Sequence, residues 1–283
     1  MKDDPNTLVS TEWLKANQQD PNIRILDASW HMPSDGRDAS NEFVNGHILN
    51  ARFFDIDDIS DHRSTLPHMV PPVEKFMSRV RALGVGDGHR IIVYDTKGLF
   101  SAARVWWLFR LMGHNSVAVL DGGLPKWIAD GNPLSTTAPV IRDRHMTVKQ
   151  QLQMVRDVTQ VAHAAKLKDH EIIDARSGTR FIGEAPEART GLRSGHIPNS
   201  KNLPFTEVLN TDHTMKTAPE LTKVFKNAGI DLNKPAITTC GSGITAAVLS
   251  LALQRVGKTD HALYDGSWTE WGQFPTLNIA TGE

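Results

Sequence analysis

The chain repeats itself, and that limits its possible folds more than any other feature. Ile25-Leu-Asp-Ala-Ser29 returns as Ile172-Ile-Asp-Ala-Arg176, and Gly46-His-Ile48 with Asn50-Ala51 and Phe53 returns as Gly195-His-Ile197 with Asn199-Ser200 and Phe205. Ile91-Ile-Val-Tyr94 parallels Ala236-Ile-Thr-Thr239. Asp121-Gly-Gly123 with Trp127 parallels Asp265-Gly-Ser267 with Trp271 at the same internal spacing. Four matches in one order, with similar gaps, describe two homologous domains of ordinary size. We place them at residues 1–136 and 152–283, joined by 137–151. The Pro/Ser/Thr-rich stretch 132–139 has little apolar pattern and reads as linker.

Each half alternates short β-branched runs with amphipathic stretches. Strands are predicted at 23–27, 91–94 and 117–120, then at 172–174, 236–239 and 261–264. Helices are predicted at 73–83 and 102–112, then at 157–167, 220–228 and 246–256. Gly84, Gly229 and Gly257 stand where helix C-terminal caps belong, and Pro219 where a first-turn proline is tolerated. Strand–helix alternation predicts an α/β fold, each domain a mostly parallel sheet flanked by helices. Ligands of such sheets bind past the carboxyl ends of the strands.

The 31 basic and 32 acidic residues nearly cancel, so no nucleic-acid or membrane partner is expected. No apolar run approaches the roughly 18 residues that span a bilayer. Residues 1–5 are polar and acidic, unlike a secretory or transit signal, so a cytoplasmic location is expected.

Cys240, the only cysteine, opens Cys-Gly-Ser-Gly-Ile-Thr245 between a predicted strand and a predicted helix. A lone cysteine is commonly a small buried hydrophobe. The Gly-Ser-Gly that follows argues for more. Gly241 and Gly243 let successive N–H groups turn toward one anion, and the helix start adds its positive end. Those conditions lower a thiol pKa and make a nucleophile. One cysteine excludes an internal disulfide and a multi-cysteine zinc site, and no metal or cofactor is expected.

The paired Asp-Ala, Gly-His-Ile-x-Asn and Asp-Gly…Trp elements, with the cysteine loop of the second half, resemble the tandem rhodanese-domain sulfurtransferases over nearly the whole chain. The resemblance implies two rhodanese-like domains and sulfur transfer through a persulfide on Cys240. The loop is similar to that of the branch whose donor is 3-mercaptopyruvate, with Ile244 where valine is usual. Thiosulfate users resemble it less, since their loop carries Arg and Lys. Mercaptopyruvate bears its charge on a carboxylate far from its thiol, which suits a neutral loop with arginines set apart. By position, the resemblance assigns that carboxylate to Arg180 and Arg189. It points to Asp57 and His68 as polar groups contributed by the first half, with Asp57 and Ser242 as the proton route. Thr245 is either a hydroxyl donor to the site or an ordinary N-cap.

Asp95 occupies the position matching Cys240, and a carboxylate cannot accept sulfane sulfur, so the first half is expected to be catalytically silent. His47 and His196, present in both copies, are expected to be structural. The acceptor is expected to be thioredoxin, a small thiol or cyanide. Two other readings compete: a thiosulfate sulfurtransferase, and a non-catalytic persulfide carrier. A Cys-x5-Arg phosphatase is set aside because Ala246 stands where its arginine belongs.

Overall fold

The protein is described by a computed structural model, in which residues 3–282 are placed. Two compact units emerge. The first comprises the chain up to His62, Val70–Gln151 and Thr211–Met215; the second comprises Arg63–Met69, Leu152–Asn210 and the chain from Lys216 onward.

The first unit runs β1 (Leu8–Val9), α1 (Thr11–Asn17), β2 (Ile23–Asp27), α2 (Ala39–Asn45), β3 (Ala51–Phe53), α3 (Val73–Ala82), β4 (Arg90–Tyr94), α4 (Ala102–Leu111), β5 (Val117–Leu120) and α5 (Gly123–Ala129). The second runs β6 (Val155–Arg156), α6 (Val158–Leu167), β7 (Glu171–Asp174), α7 (Gly178–Phe181), β8 (Lys201–Asn202), α8 (Ala218–Asn227), β9 (Ala236–Thr239), α9 (Ala246–Arg255), β10 (His261–Tyr264) and α10 (Ser267–Trp271). Each unit holds a five-stranded sheet, ordered β1-β5-β4-β2-β3 in the first and β6-β10-β9-β7-β8 in the second. All named pairings are parallel. The duplication read from sequence is therefore a duplication of topology.

The central strands β4 and β9 are buried on both faces because helices cover both sides of a parallel sheet. Ile91, Ile92 and Val93 are fully buried in the first unit. Leu14 and Trp127 pack on one face beside Ile25, Ile92 and Leu120. Ile172, Ile237 and Tyr264 pack against Trp268 and Trp271 in the second. Helix α4 is buried at every residue but Arg110, with Trp106 and Trp107 fully buried and Arg104 laid over the Trp107 ring at 4.6 Å.

Every helix and strand predicted from periodicity is present, with ends shifted by a residue or two. Asp157 precedes α6 as its cap, accepting from Gln160 N at 2.8 Å. α8 starts at Ala218, where Thr217 and Glu220 form a capping box. The sequence did not reveal α1, α2, α5, α7 and α10, of four to seven residues each, nor the edge strands β1, β3, β6 and β8. Segments that short carry too few apolar positions for a period to show.

Candidate active site

Strand β9 lies between β10 and β7, and Cys240 follows its last residue. The thiol therefore sits at the carboxyl end of the central strand, 2% exposed, with α9 beginning six residues later at Ala246. Gly243 takes φ +79, a left-handed turn that bends the loop between strand and helix. Ser242 and Ile244 are buried, and Thr245 stands at the N-cap position without a side-chain capping bond.

The loop is lashed to the start of α10. Trp268 N donates to Cys240 O at 2.9 Å, and Thr269 donates to Gly241 O through N (2.9 Å) and Oγ1 (2.6 Å). Cys240 N donates to Ser267 Oγ at 3.3 Å, while that hydroxyl donates to Tyr264 O at 2.8 Å. Ser267 holds φ +50, the same left-handed conformation as Gly123 (φ +55) in the first copy. A non-glycine residue pays strain there, and the two hydrogen bonds of the Ser267 hydroxyl accompany it.

The first copy shows what such a loop holds. Asp95 follows β4 as Cys240 follows β9, and its carboxylate accepts from the N–H groups of Lys97 (2.9 Å), Phe100 (2.8 Å), Ser101 (2.9 Å) and Ala102 (2.9 Å). The amide nest is filled by its own anion. Leu124 N donates to Asp95 O, as Trp268 N does to Cys240 O. The first-copy loop is one residue longer, since α4 starts seven residues after Asp95.

Beside Cys240, Arg180 on α7 reaches across Gly241. A Cβ added at Gly241 would lie 3.2 Å from Arg180 Nη2, so the guanidinium packs closely against this glycine. Glu187 fixes it: Arg180 Nη2 donates to Glu187 Oε2, and Arg176 Nη1 donates to Oε1 at 2.7 Å. The Glu187 side chain is 1% exposed. Arg176 also grips Asp174 through Nε and Nη2 and lies over the Trp268 ring at 4.4 Å. Burial pulls Arg176 down, but Asp174 and then Glu187 outweigh it and hold the guanidinium above its ordinary value. Asp174, Glu187, Arg176 and Arg180 thus balance in charge, and Arg180 Nε, buried, has no hydrogen-bond partner.

His68 belongs to the same compact unit as Cys240. It is buried, holds φ +61, and its Nδ1 lies 3.1 Å from Ser242 Oγ. The structure therefore brings together the 240–245 loop, Arg180 and His68. Arg189 follows Glu187 by two residues and is half-buried. Asp57 lies in the first unit, exposed, and accepts from Trp30 Nε1 at 3.0 Å. His47 and His196 lie in matching places: each donates through Nδ1–H to a backbone carbonyl, Phe43 O (2.7 Å) and Phe181 O (2.9 Å), and each stacks on that same phenylalanine. Among the described residues, no cluster of three or more His, Cys, Asp or Glu could hold a metal ion.

Sequence reasoning passed over Glu187, Arg176 and Ser267. A signal existed for Arg176, because Ser29 stands at its place in the first copy, so the copies diverge beside their matching aspartates. Glu187 lies in the stretch between α7 and β8, outside the repeated motifs, and gave none.

A doubled parallel α/β fold, with a cysteine loop at the end of the central strand of its second copy, defines a two-domain α/β protein with one thiol-bearing half. The chain belongs to the rhodanese family: the rhodanese-like domain model matches residues 10–130 and again 157–274. It is 43% identical to the mitochondrial thiosulfate/3-mercaptopyruvate sulfurtransferase 1 of Arabidopsis thaliana, over 98% of this chain and 78% of that one. It is 42% identical to the 3-mercaptopyruvate sulfurtransferase of Escherichia coli K12, over 96% of each chain. The crystal structure of SseA from Escherichia coli, a 3-mercaptopyruvate sulfotransferase, aligns with a TM-score of 0.85 at 40% identity, covering 92% of this chain and 98% of that one.

Proposed function

We propose that this enzyme is a 3-mercaptopyruvate sulfurtransferase whose sulfur carrier is Cys240. The observation that carries the reading is the neutral Cys240 loop with a single guanidinium, Arg180, laid on Gly241. An arginine fork beside an uncharged loop suits a donor whose charge is a carboxylate remote from its sulfur. Arg180 takes that carboxylate, with Arg189 as a second donor.

The Cys240 thiolate attacks the donor sulfur. An S–S bond forms, the C–S bond breaks, and its electron pair stays on carbon as the enolate of pyruvate. The thiol proton ends on that carbon, giving pyruvate and a persulfide. Amides of residues 241–245 and the start of α9 hold the thiolate and then the persulfide anion, the duty that amides of the first-copy loop perform for Asp95. Ser242 and His68, in hydrogen-bond reach of each other, pass the proton, with Asp57 as a further proton-carrying group. An acceptor thiolate or cyanide then attacks the outer sulfur and regenerates the Cys240 thiolate. With no second cysteine in the chain, that acceptor is external: thioredoxin, a small thiol or cyanide. We place the enzyme in the cytoplasm, a reading supported by a lone unpaired thiol. No helix among the described residues is long and apolar enough to cross a membrane. Fractionation of cells tests the compartment.

The test supplies 3-mercaptopyruvate or thiosulfate with cyanide and follows pyruvate or sulfite. Turnover of thiosulfate equal to or above that of mercaptopyruvate would refute the donor assignment. Unchanged turnover in Cys240→Ala would refute the persulfide route. A carrier, unlike a catalyst, would load sulfur from a protein donor equally well after Arg180→Ala.

A further inference from the structure

The first unit carries a concentration of positive charge that the sulfur chemistry does not use. A cavity of about 400 Å3 opens where β2 and β3 begin, the opposite end of that sheet from Asp95. Arg24, Arg52, Arg142 and Arg144 line it, against one carboxylate, Asp20, which is exposed and accepts from Asn22 N at 2.8 Å. Among the described residues, none of the four arginines has a carboxylate partner. Arg24 donates to the carbonyls of Gly84, Pro21 and Ile23, and Arg52 to those of Asn50 (2.6 Å) and Val140 (3.4 Å). Arg52 is the decisive one: it is 7% exposed, and its Nε has no hydrogen-bond partner.

Buried guanidinium groups are ordinarily paired, because an uncompensated charge out of water is costly. Here like charges surround one. Burial, then Arg24 and Arg144, push Arg52 down to about 10. Burial, then Arg24, Arg144 and Arg52, push the neighbouring His89 down to about 4. In both, burial is the largest cause and the neighbouring arginines add to it, and neither group belongs to the cysteine site.

We propose that this cavity is a binding site for a multivalent oxyanion of the phosphate or sulfate class, with Arg52 at its floor and Arg142 and Arg144 at its mouth. The forked guanidinium is suited to tetrahedral oxyanions, and the volume lies within the range of small-ligand sites. A free ion and a phosphate ester would meet the same donors, so both are tested.

The experiment follows thermal unfolding of the full-length enzyme at constant ionic strength, exchanging chloride for inorganic phosphate, sulfate or glycerol phosphate. At ten times Kd, a saturable rise in Tm of about 3–5 °C is expected. The double variant Arg142→Gln/Arg144→Gln, altered only at the mouth, should lose that rise and keep wild-type KM for mercaptopyruvate. Arg52→Met should also lose it. A rise that persists in both variants overturns the proposal, as does a wild-type response no greater than with chloride. A rise abolished by mercaptopyruvate or by Arg180→Gln would place the anion at the Cys240 loop and overturn it equally. A response to glycerol phosphate alone would identify an ester as the ligand; a response to both would identify the free anion as sufficient.

Discussion

Glu187→Gln isolates the means by which the Arg180 guanidinium, proposed above to take the donor carboxylate, is held. The substitution keeps shape and removes one charge from a carboxylate whose side chain is 1% exposed and which bridges Arg176 and Arg180. Removing one partner of a buried ion pair commonly costs about 3–5 kcal/mol. The cost here is smaller. Arg176 keeps its side-chain bonds to Asp174, the Arg180 side chain is 27% exposed and can rehydrate, and glutamine still accepts one hydrogen bond. A loss of about 2 kcal/mol is expected, or roughly 4–8 °C in Tm. Freed from its tether, Arg180 must be ordered by the substrate itself. One immobilised side chain costs about 1 kcal/mol, and the lost alignment brings the expected rise in KM to about tenfold, with kcat reduced less than threefold. Steady-state pyruvate release at a temperature below both unfolding transitions separates the two effects, and Glu187→Asp should restore KM in part. A KM within twofold of wild type alongside the drop in Tm would show that Glu187 is structural only and that Arg180 needs no tether.

Three other outcomes follow from the geometry. Asp27 is 1% exposed, and burial pushes its carboxyl up to about 6 against hydrogen bonds from Ser29. A raised carboxylate binds its proton more tightly folded than unfolded, so stability falls as pH rises from the unfolded value of 3.8 through about 6, by at most roughly 3 kcal/mol. Asp27→Asn should therefore raise Tm at pH 8 and progressively lose that advantage toward pH 4; an advantage unchanged between those pH values would refute it. Asp95→Ala strips the acceptor from four loop amides and should cost about 3–4 kcal/mol in urea unfolding; a cost below 1 kcal/mol would show that water fills the nest as well. His68→Asn should lower kcat for pyruvate release about 100-fold while leaving persulfide formation from a protein donor intact, and equal losses with both donors would count against its proton role.

The duplication, the strand–helix alternation and the place of Cys240 were legible in the sequence because each rests on local periodicity or on motifs a few residues long. Long central strands such as β4 must be continuously apolar to be buried on both faces, so they announce themselves. The two-residue edge strands β1, β6 and β8 have no pattern of their own and form only because a neighbour offers hydrogen bonds. Arg180 was found by its resemblance in position; a solvated arginine would have had the same letters around it.

What the sequence determined by itself was the doubled α/β fold, the single thiol at the end of a central strand, and the neutral loop behind it. Only the tertiary structure decided what surrounds that loop. Ser242 meets His68 174 positions earlier in the chain, Arg180 packs against Gly241, and the buried Glu187 joins Arg180 to Arg176. The same is true of the four arginines gathered from residues 24, 52, 142 and 144 around one cavity. The overall charge of the chain is near zero, so composition conceals them. Charge balance and hydrogen bonding act over a few ångströms in space, whatever the separation along the chain, and neither period nor motif records them.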